Sequence, residues 1–169
     1  LGRMGTTIGR IVDEAPDLEL VGGIDIREGT FFGKEVVPAA RIDAFLKEKK
    51  PDVLIDFTVA GAAVENIRAA AANNVALVVG TTGFSPEQRE IIRSAVEGNV
   101  PAVISSNFSV GVNIFWKLVR EAARELGDYD IEVTEAHHRY KKDAPSGTAK
   151  TILEILDQEL GEREKVYGR

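Results

Sequence analysis

Apolar positions along this chain recur at two spacings. In residues 6–14, Ile8, Ile11 and Val12 keep the three-to-four-residue interval of a helix. Residues 18–24 form an apolar run that predicts a strand closed by Asp25. Residues 28–37 mix glycine with charge and read as a loop, and residues 42–49 predict a short helix stopped by Pro51. Val53-Leu54-Ile55-Asp56-Phe57 is nearly unbroken, the pattern of a strand buried on both faces. An alanine-rich helix over 60–72 and a buried strand over 75–79 follow, the latter ended by Gly80-Thr81-Thr82-Gly83.

The second half repeats the alternation. Ser85-Pro86-Glu87-Gln88 is a helix start, with Ser85 as cap, Pro86 in the first turn and Gln88 placed to complete a capping box. That helix is expected to end near Val96, with a strand over 102–105 after it. Residues 110–126 form a long amphipathic pattern with Gly127 as its expected C-cap. Residues 131–135 alternate apolar and polar like a half-buried strand, and 146–160 predict a last helix.

Short apolar strands between helices indicate βαβ units. The expected class is α/β with a Rossmann-like doubly wound parallel sheet, and the expected domain boundary lies near Phe108 to Val110. Leu1-Gly2-Arg3-Met4-Gly5 reads as the middle of a motif, so a first strand is expected upstream of it. In such sheets ligands lie beyond the carboxyl ends of the strands. Those ends carry Asp25, Phe57-Thr58, Gly80-Thr81-Thr82 and Ser106-Asn107-Phe108.

Composition narrows the classes. Of 169 residues 44% are hydrophobic, enough for a packed core. A formal charge of −6 argues against a nucleic-acid binder, which needs a basic face. Without cysteine there is neither disulfide nor thiolate chemistry. With only His137 and His138 as histidines, no metal site is expected. No apolar stretch is long enough for a membrane and no signal-peptide pattern opens the chain, so a cytoplasmic location is the default expectation.

Two regions carry candidate chemistry. Gly2-Arg3-Met4-Gly5 before a helix could cradle a pyrophosphate on backbone N–H groups, or be a plain glycine turn. Asp25, about 20 residues on at a strand end, stands where a carboxylate receives a ribose hydroxyl. Arg27 could meet a 2′-phosphate or simply lie on the surface, which leaves NADH and NADPH both open. The second region is more unusual. His137, His138, Arg139, Lys141 and Lys142 crowd together in an otherwise acidic protein, a costly arrangement unless an anion arrives. Pro145-Ser146-Gly147-Thr148 then opens a helix, with Ser146 a candidate cap. Cations beside a helix N-terminus suit a dicarboxylate, and histidine supplies a proton near neutral pH. From composition alone, a solvated basic loop is the commoner outcome.

The exact residues turn that balance. Glu135-Ala136-His137-His138, then Lys141, then Asp143-Ala144-Pro145-Ser146-Gly147-Thr148-Ala149, resembles the signature of the dihydrodipicolinate reductase family, also called 4-hydroxy-tetrahydrodipicolinate reductases. Gly2-Arg3-Met4-Gly5, Asp56-Phe57-Thr58, Gly80-Thr81-Thr82-Gly83-Phe84 and Asn107-Phe108-Ser109-Val110-Gly111-Val112-Asn113 match in the same order.

The resemblance implies a dinucleotide-binding domain over 1–108, followed by the start of an α+β substrate domain, with part of that substrate-binding, catalytic domain over 109–169, and it implies a role for each position. Gly2, Arg3 and Met4 would belong to the pyrophosphate loop, and Asp25 would serve the adenosine ribose. Gly80, Thr81, Thr82 and Ser105, Ser106, Asn107 and Phe108 would line the nicotinamide side. His137 would be the proton donor and Lys141 the second catalytic residue. His138, Gly147 and Thr148 would hold a substrate carboxylate. It further implies reduction of 4-hydroxy-tetrahydrodipicolinate by NADPH or NADH in lysine and diaminopimelate synthesis, by a homotetramer. The alternatives are a related Rossmann dehydrogenase for another small dicarboxylate and a non-catalytic NAD(P)-binding module.

Overall fold

A computed structural model describes residues 2–141 and 144–168. The chain divides into two compact units, Leu1–Ser105 and Ser106–Arg169.

The first unit runs α1 (Arg3–Glu14), β1 (Gly23–Asp25), β2 (Gly29–Phe31), β3 (Lys34–Pro38), α2 (Ile42–Lys49), β4 (Val53–Asp56), α3 (Ala60–Ala72), β5 (Ala76–Val79), α4 (Pro86–Val96) and β6 (Ala102–Ile104). Strands β4, β5 and β6 form a fully parallel sheet in that order, with Val53 beside Ala76 and Leu77 beside Ala102. The helices between successive strands are the expected βαβ crossovers. A second sheet has the order β1-β3-β2, with β1 parallel and β2 antiparallel to β3. The expected parallel sheet between helices is present in β4, β5 and β6, while β1, β2 and β3 form a separate mixed ladder.

Residues 28–37, expected to be a loop, are a hairpin. Phe31 pairs with Lys34, leaving Phe32 and Gly33 as a two-residue turn with φ of 48° and 72°. Positive φ at both positions matches the twist of the flanking strands. The first strand is shorter than its apolar run, because only Gly23–Asp25 finds a partner.

One core joins the two sheets. Leu46 of α2, Ile67 of α3, Val37 of β3, and Leu77 and Val79 of β5 are fully buried and belong to one cluster. Each such side chain contributes about 1.5–3 kcal/mol by leaving water. Ala63 and Ala70 are also fully buried, and their small size lets α3 lie close to its neighbours. Strand β4 departs from expectation: Val53 and Ile55 are 46% and 41% exposed, so only its Leu54 and Asp56 face is covered. Helix α4 carries the expected capping box, Ser85 Oγ accepting from Gln88 N at 3.2 Å and Gln88 Oε1 from Ser85 N at 2.9 Å.

The second unit is built on α5 (Val110–Glu125) and α6 (Gly147–Leu160). Asn107 Nδ2 meets Thr148 Oγ1 at 3.3 Å at one end. Arg124 Nε meets Glu159 at 2.8 Å at the other, and Arg120 also donates to Glu159. The helices therefore run side by side in the same direction, and both positive dipole ends lie together. Gly127 does not cap α5 as expected. The cap is Leu126, and Gly127 lies where a Cβ would approach Leu160 to 3.1 Å. Residues 131–135 take no strand conformation in a sheet, and Ile131 and Val133 stay exposed.

Candidate active site

In the first unit, Gly2 caps α1 in extended backbone, and its carbonyl accepts from Thr6 N at 2.9 Å. No side chain caps this helix, and a Cβ at Gly2 would meet nothing within 4 Å. The opening N–H groups therefore face space that a phosphate can enter. Arg3 and Met4 are exposed in the first turn. Asp25 ends β1, where its Oδ1 accepts from the N–H of Ile26 at 2.6 Å and of Arg27 at 3.4 Å. Gly2, Asp25 and Arg27 line one open cavity of about 470 Å³ with Glu28, Thr30 and Val36. Backbone donors and a ribose acceptor in one cavity fit the phosphate-and-ribose portion of a dinucleotide.

The carboxyl ends of β4 and β5 do not line that cavity and carry a second group of candidate residues. Gly80 N donates to Asp56 O at 2.8 Å, and Thr81 is buried against the Asp56 carboxylate with its Oγ1 2.8 Å from Oδ1. Thr82 beside it is exposed. Ser105 follows β6, and its N–H donates to Val79 O at 3.0 Å.

In the second unit, Ser106, Asn107 and Phe108 precede α5. Ser106 Oγ lies 3.1 Å from Thr151 Oγ1, and Asn107 reaches Thr148, so this segment is stitched to the first turns of α6. Phe108 is partly exposed. Ser146 caps α6, its Oγ accepting from Ala149 N at 3.1 Å. Gly147 and Thr148 are the first residues of that helix, where N–H groups have no partner within the helix.

A residue that sequence reasoning left without a role ties this end together. Glu135 Oε1 accepts from Ser146 N at 2.9 Å, and its Oε2 lies 2.9 Å from His137 Nε2. The Ser146 hydroxyl, then its N–H, then His137 hold the Glu135 carboxyl down at about 2, against an ordinary 4.5. At neutral pH it is therefore an anion that fixes the orientation of the imidazole. With Nε2 donating to Glu135, Nδ1 is the ring nitrogen left to face a ligand, an acceptor in the neutral ring and a donor only in the imidazolium. The signal was the Glu-x-His spacing, which in extended chain puts both side chains on one side. His138 turns into its own loop, where Nδ1 accepts from Tyr140 N at 3.2 Å and the carbonyl from Lys141 N at 3.1 Å. Lys141 is half-buried after that turn, and Arg139 is exposed. Lys142 and Asp143 lie outside the described residues, as does Leu1. Among the described residues no cluster of histidines and carboxylates could hold a metal, and no helix is long and apolar enough to cross a membrane.

Parallel strands joined by helices, beside a helix opened by glycine and a strand ended by an acidic residue, are the arrangement of a Rossmann-like α/β domain. Residues 1–108 match the family described as Dihydrodipicolinate reductase, N-terminus, and residues 111–168 match Dihydrodipicolinate reductase, C-terminus. The chain belongs to the dihydrodipicolinate reductase family. It is 89% identical over 169 residues to the 4-hydroxy-tetrahydrodipicolinate reductase of Methanoculleus marisnigri, covering 100% of this chain and 67% of that protein. It is 73% identical over 168 residues to that of Methanoregula boonei, covering 99% and 66%. Among solved structures, the dipicolinate-bound dihydrodipicolinate reductase from Paenisporosarcina sp. TG-14 matches with a TM-score of 0.76 at 28% identity, over 98% of this chain and 66% of that one. The chain thus spans about two thirds of the length of these relatives.

Proposed function

We propose that this protein reduces 4-hydroxy-tetrahydrodipicolinate to tetrahydrodipicolinate, with water lost at or before that step. NADH or NADPH would supply the hydride. Gly2, Arg3 and Met4 at the start of α1 would hold the pyrophosphate, and Asp25 the adenosine ribose. Gly80, Thr81, Thr82 and residues 105–108 would border the nicotinamide. The dicarboxylate would be held by the N–H groups of Gly147 and Thr148 and by the cations of residues 137–141. His137 would protonate the carbon next to the site of hydride addition, and Lys141 would bind the substrate or share the proton transfer. A cytoplasmic location and a homotetrameric assembly are the expectations that go with this biosynthetic reading.

The observation that carries this reading is the Glu135 carboxylate, which holds the ring of His137 and the cap of α6 together. An acid thereby stands beside the opening of a helix that attracts carboxylates. The test is cofactor oxidation on addition of the cyclic hydroxy-imine formed from pyruvate and aspartate semialdehyde. Substrate-dependent loss of NADH or NADPH absorbance is expected. Binding without consumption would mark a non-catalytic module, and consumption only with a different dicarboxylate would mark another dehydrogenase.

A further inference from the structure

We infer that Asp56 is a positioning residue that latches together the two loops after β4 and β5, and so sets the backbone of residues 80–82. The inference rests on the reading of that backbone as the nicotinamide border. Asp56 is only 3% exposed, and a carboxylate so placed is tolerated only when its oxygens are hydrogen-bonded. Its Oδ1 accepts from Thr58 N at 2.9 Å, Thr58 Oγ1 at 2.8 Å and Thr81 Oγ1 at 2.8 Å. Its Oδ2 accepts from Asn66 Nδ2 of α3 at 2.7 Å.

One oxygen thus gathers donors from two loops, while the second is pinned to a helix and keeps the carboxylate from turning. Two further contacts close the same seam. Gly80 N donates to the Asp56 carbonyl, and the Phe57 ring fills the space that a Cβ at Gly80 would need. Thr81 is itself 5% exposed, so its hydroxyl is an internal anchor. The parts of this turn turned toward a ligand are its backbone and exposed Thr82. If the latch loosens, a bound nicotinamide is misplaced while the dicarboxylate contacts of residues 135–148 keep their own hydrogen bonds.

The experiment compares Thr81→Val, which deletes the hydroxyl in the same shape, with Thr81→Ser, which keeps it, and with Asp56→Asn. Turnover in Thr81→Val and Asp56→Asn is expected to fall about tenfold to a hundredfold, the penalty of a misplaced reactant. The KM for the dicarboxylate should stay within about twofold, and Thr81→Ser should retain more turnover than Thr81→Val, since it keeps the hydroxyl that bonds Asp56. The double variant should be no slower than the worse single one, because the amide weakens, and the valine removes, the same Thr81–Asp56 bond. Should buried Asp56→Asn fail to fold, Thr81→Val decides alone. Wild-type turnover and cofactor affinity in Thr81→Val overturn the inference, as does a Thr81→Ser loss equal to that of Thr81→Val. Failure of the unaltered protein to consume NADH or NADPH overturns the functional reading, and the inference with it, before any variant is compared.

Discussion

The strand-end edge of the first unit and residues 131–141 of the second carry the two halves of the proposed chemistry, and they are built in opposite ways. At the edge, Asp56, Asn66 and Thr81 are buried and share one carboxylate, so several bonds must break before any part can move. Residues 131–140 are exposed along their whole length, and Glu135 ties them to the cap of α6. Buried networks resist local opening, whereas exposed backbone with few buried contacts opens readily. The strand-end edge is thus shaped in advance, whereas residues 131–140 are held by few buried contacts. In that exposed setting water screens the charges of the basic cluster, which a chain of charge −6 therefore tolerates.

Breaking the exposed half should have the largest consequence. His137→Ala or Lys141→Ala should each lower turnover by roughly two to four orders of magnitude if the altered residue is the acid. Steady-state kinetics decides, and unchanged turnover in both variants would sink the assignment. Glu135→Gln keeps the shape but removes the anion that orients His137 and receives the Ser146 N–H. Its turnover should fall about tenfold to a hundredfold, and faster hydrogen exchange at Ser146 should accompany the loss.

The core beneath the first unit should respond differently. Ile67→Ala should cost about 2–5 kcal/mol of stability in denaturant unfolding. That loss should appear in the unfolding of the first unit and leave the Glu135–His137 pair intact, which the His137 ring resonances can report. A smaller effect is expected from Ser85→Ala, about 1 kcal/mol for a lost helix cap.

The Glu135 carboxyl also sharpens the contrast through pH. Its folded value of about 2 lies below the ordinary 4.5, so folding favours the ionised form. The stabilisation is therefore complete above about 4.5 and is lost as pH falls through about 2. A carboxyl resonance of Glu135 that titrates near the ordinary value would show that the anchor to Ser146 and His137 is absent in solution.

Legibility from sequence followed the range of the interactions. Helices α2 and α3 matched their predicted limits, and α4 its predicted start, because periodicity and the Ser85–Gln88 box are local signals. Strands were less legible because a strand exists only where a partner lies beside it. The apolar run over 18–24 pairs only at its end, and the alternation over 131–135 joins no sheet among the described residues. The hairpin around Phe32-Gly33 lacks the usual Asn-Gly signal, so its mixed glycine and charge read as a loop. In the site, the basic cluster was visible as an imbalance of charge over a few residues. The bond from Thr81 to Asp56 spans 25 residues of sequence and could not be seen before the two strands were set side by side.

The most direct test of the account is single-turnover cofactor oxidation with the cyclic hydroxy-imine, run in parallel on the unaltered protein, His137→Ala and Thr81→Val. The account predicts substrate-dependent oxidation in the unaltered protein, the largest loss in His137→Ala, and a smaller loss in Thr81→Val that leaves dicarboxylate binding intact. Equal rates in all three would contradict it, since neither the exposed acid nor the buried edge would then take part in the reaction.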